Sequence, residues 1–152
     1  MKPLSASPLE AHLGYWLRFV SNHVSLAFAQ KLEGHAVTVA EWVVLRELYD
    51  RDVAAPSDLA DRLGMTRGAI SKLVERLVEK TFIDRTAATS DKRFQALRLT
   101  AAGRTLVPKL SALADINDAE FFGHLAAKDR ALIEKLMKDI IKRHELRSVP
   151  IA

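Results

Sequence analysis

PSDLADRLGMTRGAISKLVERLVEKTFIDRTAATSDKRFQALRL, Pro56 to Leu99, decides the fold of this chain. Pro56 suits a first helical position and Asp58 lies in the first turn, where the helix dipole favours an anion. Leu59, Ala60 and Leu63 supply one apolar face, and Gly64 breaks the helix after two turns. Thr66 is a good N-cap for a second helix running to about Lys80. Two helices joined by a short glycine-containing turn are the signature of a helix-turn-helix. On the second helix Ile70, Leu73, Val74 and Leu77 share the inward side, while Arg67, Gly68, Ser71, Lys72, Glu75 and Arg76 share the other. Phe82–Thr86 and Phe94–Leu99 then alternate as two short strands around a polar connection that ends in Asp91, Lys92 and Arg93, which predicts a hairpin with a basic tip.

A docked helix-turn-helix places the N-terminal residues of its second helix against base edges in the major groove. Arg and Lys can bond guanine O6 and N7, and Ser or Thr can bond bases or phosphates. Thr66, Arg67, Gly68, Ser71, Lys72 and Arg76 are therefore the candidate DNA-contacting residues of that helix. Glu75 is read as an intrahelical partner of Lys72 or Arg76. Gly68 is a poor helix former, so a close approach to DNA or to the preceding helix should explain it. From the hairpin, Arg85, Lys92 and Arg93 can reach phosphates or a narrow minor groove. The stretch holds nine cations and six anions, most of the chain's net charge of +4.

Outward from this stretch the chain is helical. Leu13, Leu17, Val20, Val24 and Phe28 recur on one face of a helix expected from about Pro8 to Leu32, with Gly34 as its left-handed cap. A second stripe, His12, Trp16, Phe19 and His23, lies beside it and serves either core or dimer packing or, shared with Trp42, a candidate small-ligand pocket. Its two histidines stand about three turns apart, too far to share one metal ion. Thr38 and Glu41 form a capping box for the next helix, across which Val37 can staple onto Trp42. Thr100 caps a helix to about Phe122 bearing Leu106, Leu110, Leu113 and Ile116, where Pro108 should cause a kink or a later start. A last helix, Ala126 to about His144, carries the wide apolar stripe Leu132, Ile133, Leu136, Met137, Ile140 and Ile141, which a second subunit would cover.

The composition narrows the function classes. The chain has no cysteine, which excludes disulfides, thiolate zinc sites and a thiol redox switch. No apolar run approaches the ~20 residues of a membrane span and the N-terminus lacks a signal-like apolar core, so the expected location is the cytoplasm. There is no G-x-S-x-G, no H-E-x-x-H and no glycine-rich phosphate loop, so the chain is not expected to be an enzyme, and no cofactor or metal is expected.

Leu59–Leu77, the wing pattern from Ile83 to Thr100 and the downstream Gly103 are similar to the MarR (multiple-antibiotic-resistance regulator) family of winged-helix transcription factors. The pair Asp91 and Arg93 followed by Leu99-Thr100 and Gly103 is the most specific part, and the resemblance spans about His12 to Arg143. It implies a mainly α fold with a small β-wing: a winged helix-turn-helix at 37–100 and a helical dimerisation lobe from 1–36 and 101–152. It further implies a homodimer on a pseudo-palindromic duplex, acting as a repressor released by a small, often aromatic, ligand. The helix matching Thr66–Lys80 would enter the major groove, and Arg93, oriented by Asp91, would probe the minor groove. One position departs from the pattern: Thr81 stands where family members usually carry glycine, so the second helix is expected to end differently. The competing reading is a winged-helix protein-interaction module without specific DNA binding, which would lack the steep salt dependence of DNA binding.

Overall fold

The computed structural model describes residues 1–87 and 95–147. The described residues form six α-helices: α1 Leu13–Leu32, α2 Val39–Tyr49, α3 Pro56–Leu63, α4 Arg67–Glu79, α5 Ala101–Phe122 and α6 Ala127–Arg143. Two antiparallel strands, β1 Ile83–Ala87 and β2 Gln95–Leu99, separate α4 from α5, with Ile83 opposite Leu99 and Arg85 opposite Leu97. The mainly helical fold with a two-stranded wing is as the sequence implies.

Local chemistry sets most of the boundaries. The Thr38 hydroxyl accepts from the Glu41 amide at 3.1 Å, and the Glu41 carboxylate accepts from the Thr38 amide at 3.0 Å, which completes the expected capping box. Gly64 closes α3 in the left-handed conformation at φ 63°. Thr66 and Thr100 start α4 and α5 by accepting from the amides of Ala69 and Gly103, each at 3.1 Å. One backbone pairing is not visible in the sequence. Ala54, between α2 and α3, pairs with Leu97 through bonds of 2.9 and 2.8 Å as a single-residue bridge alongside β2.

The core is one continuous cluster. Leu45, Leu48, Leu59, Ile70, Leu77, Ile83 and Leu97 fill the centre of the helix-turn-helix and its wing, and Phe28, Leu32, Val107 and Leu110 extend it between α1 and α5. The buried row of α5 continues to Asn117, while Ile116, expected to face inward, is half exposed. Asn117 donates to the Val24 carbonyl at 3.2 Å and accepts from Lys31 at 3.1 Å, which fixes α5 against α1. Outside this core Leu13, Leu17 and Val20 on α1 and the whole apolar row of α6 remain exposed.

Three expectations change. The chain runs past Leu32 into a 3₁₀ turn at Glu33–His35 that includes Gly34, and the left-handed residue is Ala36 at φ 55°. Before α1 a separate 3₁₀ turn spans Leu9–Ala11, so the helix begins later than Pro8. α5 passes through Pro108 without a later start. Pro108 is exposed, so water can replace the donor that the Arg104 carbonyl loses.

Thr81 is the more instructive correction. It adopts φ 67°, as a glycine would, with Phe82 donating to the Leu77 carbonyl at 2.9 Å and Thr81 to that of Val78 at 3.0 Å. That double bond pattern is a Schellman cap. The cap holds a β-branched residue because the wing is fixed from the far side: the Thr100 hydroxyl donates to the Thr81 carbonyl at 2.7 Å, and the Thr100 amide to that of Phe82 at 3.1 Å. Gly103 permits this closeness, since a Cβ there would stand 2.4 Å from the Phe82 oxygen. Thr81→Gly should therefore stabilise the fold by about 1 kcal/mol, relieving left-handed strain, and Gly103→Ala should destabilise it by about 2 kcal/mol through overpacking. Urea denaturation at constant m-value reads both; shifts of the same sign would contradict this joint.

Candidate nucleic-acid interface

Helix α4 presents two side-by-side rows on its outer face. Arg67, Ser71 and Glu75 form one row and Gly68, Lys72 and Arg76 the other, and all six are exposed while Ile70, Leu73, Val74 and Leu77 are buried. The inner face orients the outer one, because these four apolar side chains key α4 against α2 and α3. Thr66 stands at the leading end. Its hydroxyl oxygen accepts from Ala69, which leaves the O–H free to donate outward. The amides of the first turn also face outward with a partial positive charge.

Charge on this face is uncommitted among the described residues, where Arg67, Lys72 and Arg76 make no ion pair within 4 Å. The pairing expected between Glu75 and Lys72 or Arg76 is not formed. Cations elsewhere in the helix-turn-helix are engaged: Arg51 and Arg62 both reach Glu47, at 3.2 and 3.6 Å. Gly68 has open space around it, with nothing within 4 Å of where a Cβ would sit. A close approach by the preceding helix therefore does not account for it.

The wing is described in part. Arg85 is exposed on β1, and on β2 Arg98 is exposed opposite Asp84. Asp91, Lys92 and Arg93 lie outside the described residues.

The candidate ligand residues do not converge within one chain. His12, Trp16, Phe19 and His23 are exposed along the N-terminal half of α1. Tyr15 meets Trp16 edge-on at 5.1 Å, Phe19 stacks near His23 at 5.0 Å, and the Trp16 indole donates to the Glu10 carbonyl at 3.0 Å. Trp42 is half-buried against Phe28, 6.2 Å away. The cleft nearest Phe28, about 200 Å³, is lined by Val24, Ser25, Val39, Asn117 and Phe122 among others. None of the five predicted residues lines it. Among the described residues no group of three His, Cys, Asp or Glu is placed to hold a metal ion.

Sequence reasoning assigned Glu41 only to its capping box. Glu41 is fully buried and accepts from Lys80 Nζ at 3.0 and 2.9 Å, and the same ammonium donates to the Ala36 carbonyl at 2.7 Å. No local signal links residues 39 positions apart. Burial alone would raise the Glu41 pKa. The bond from Lys80 and those from the Thr38 amide and hydroxyl outweigh it and hold the group below its ordinary value of 4.5.

A hairpin-bearing helix-turn-helix with an outward cationic second helix defines a winged-helix protein of the DNA-binding type. The MarR family model matches residues 37–94. Over 134 residues the chain is 28% identical to the HTH-type transcriptional repressor Rv2887 of Mycobacterium tuberculosis, which covers 86% of this chain and 96% of that one. Its fold matches a mutant MarR of Escherichia coli complexed with operator DNA at a TM-score of 0.78 and 25% identity, covering 85% of this chain and 93% of that one. BpsR of Bordetella bronchiseptica, whose DNA binding is regulated by 6-hydroxynicotinic acid, shares the fold at a TM-score of 0.80 and 23% identity, over 90% and 97% of the two chains. Residues 37–94 thus resemble the MarR family, and the relatives the chain is similar to are transcriptional regulators. Those relatives are regulators and not enzymes.

A depressed carboxylate pKa stabilises the fold above the unfolded-state pKa, and that contribution is lost as pH falls through the folded pKa. Glu41→Gln should thus cost about 2 kcal/mol at neutral pH, the cost of a lost charge-assisted bond. The gap from the parent should hold down to about pH 5 and close below about pH 4. Denaturation at a series of pH values checks this. A gap independent of pH down to 3 would show that Glu41 is not bound as a carboxylate.

Proposed function

We propose that the chain is a cytoplasmic repressor that binds a pseudo-palindromic duplex as a homodimer and is released by a small aromatic ligand. The exposed outer face of α4 carries the reading: Arg67, Gly68, Ser71, Lys72 and Arg76 stand on it, led by the free hydroxyl of Thr66. The N-terminal end of such a helix enters the major groove, Arg67 and Lys72 facing base edges or phosphates. From the wing, Arg85, Lys92 and Arg93 take the flanking phosphates and the minor groove, with Asp91 orienting Arg93.

The uncovered apolar faces support the dimer. Leu13, Leu17 and Val20 of α1 and Leu132, Ile133, Leu136, Met137, Ile140 and Ile141 of α6 form patches that a second copy would bury. Residues 1–36 and 101–152 are then the dimerisation lobe and 37–100 the DNA-binding domain. The same dimerisation gives His12, Trp16, Phe19 and His23 a second wall, so the ligand site, with Trp42 at its edge, is completed by the partner. An aromatic acid is the fitting class, as histidines supply donors and Trp16 and Phe19 supply stacking faces.

Gly68 offers a test in which stability and binding move in opposite directions. Gly68→Ala should stabilise α4 by about 1 kcal/mol on helix propensity and weaken duplex binding about tenfold by obstructing close approach. Thermal denaturation and gel shift together decide it; unchanged affinity in the stabilised variant removes Gly68 from the interface. Arg93→Ala should lower affinity and flatten the plot of log K against log salt by up to about one unit. Binding that varies little with salt in the parent protein would favour a protein-interaction module.

A further inference from the structure

In the reading just given, α4 enters the groove and α1 meets the partner subunit, and the present inference rests on it. Two recognition helices fit a duplex only if each is held at a set angle to the dimer. The apolar contacts of Leu73, Val74 and Leu77 resist separation of α4 from its neighbours but set direction weakly, since burial is non-directional. The directional tie is at the other end of α4. Its C-cap residue, Lys80, sends its ammonium to the Ala36 carbonyl, in the connection leaving α1, and to both oxygens of the Glu41 carboxylate at the start of α2. All three ammonium protons are used. Two of the three non-glycine left-handed residues among the described residues, Ala36 and Thr81, flank this clasp, one at the exit of α1 and one at the exit of α4.

We propose that Glu41 and Lys80 are positioning residues that set which half-site spacing the dimer accepts. α4 has 13 residues and is about 20 Å long at 1.5 Å per residue. A tilt of about 10° at the clasp carries its leading end about 3 Å, close to the rise of one base pair, ~3.4 Å. A clasped helix rejects an operator lengthened by one pair; a released one follows it. Glu41 is fully buried and so acts on DNA only through this geometry.

The test uses the full chain and a duplex that it selects from a random-sequence pool, together with versions carrying one or two base pairs inserted or removed at the centre. The parent protein should lose about tenfold or more in affinity per inserted pair, on the scale of a mismatched site. Glu41→Gln and Lys80→Gln, confirmed folded by circular dichroism, should lose less than about threefold and keep the parent's salt slope, since no phosphate contact is removed. If Glu41→Gln fails to fold, Lys80→Gln, at a side chain already one-third exposed, carries the test alone. Folded variants with the parent's steep spacing profile overturn the proposal. So does a Lys80→Gln variant that loses salt slope with an unchanged profile, because Lys80 would then be a phosphate contact. Selection of no duplex by the parent instead overturns the DNA-binding reading, and this inference with it.

Discussion

The ammonium of Lys80 has three protons, and the fold gives each an acceptor. One goes to the backbone that leaves α1 and two go to a carboxylate that also caps α2. A buried carboxylate without such a partner would be costly, so Glu41 fixes where Lys80, and hence the end of α4, must lie. One residue later the chain turns through Thr81 into the wing, whose first strand is pinned by Thr100 and seated over Gly103. The orientation of the recognition helix and the start of the wing thus depend on one small polar joint surrounded by apolar packing.

Away from this joint the molecule divides by how well it covers itself. The helix-turn-helix, the wing base, the C-terminal end of α1 and the first half of α5 share a closed core. The N-terminal half of α1 and all of α6 do not, and α6 is tied to α5 by the exposed bridge from Arg130 to Asp118 at 2.8 Å. Exposed pairs of this kind contribute little to stability. A long helix whose exposed apolar row is held so lightly fits half of an interface, the premise of the proposed dimer.

Much of the fold was legible from local chemistry. Gly64, Thr66, Thr100 and the Thr38–Glu41 box each mark a boundary by satisfying helix-end groups within a few residues, which a sequence displays directly. The outer face of α4 was legible for the same reason, since helical periodicity separates Arg67 and Lys72 from Ile70 and Leu73. Features set by long-range contacts were hidden. Thr81 contradicts its own left-handed propensity because Thr100 and Gly103 hold the wing from across the fold, and Ala36 takes the conformation that Gly34 promised. Asn117 did carry a signal, as a polar residue on the helical period of Leu106, Leu110 and Leu113. Pairing of Glu41 with Lys80 carried none. The ligand stripe on α1 was visible as a pattern, yet a single chain does not close it into a pocket.

The most direct measurement of the central claim is methylation interference on a duplex selected by the protein. A methyl group at guanine N7 blocks the major-groove edge that arginine and lysine read. The account predicts two clusters of interfering guanines, one per recognition helix, about one helical turn apart, ~10 base pairs. A single cluster, or binding indifferent to N7 methylation, would contradict it.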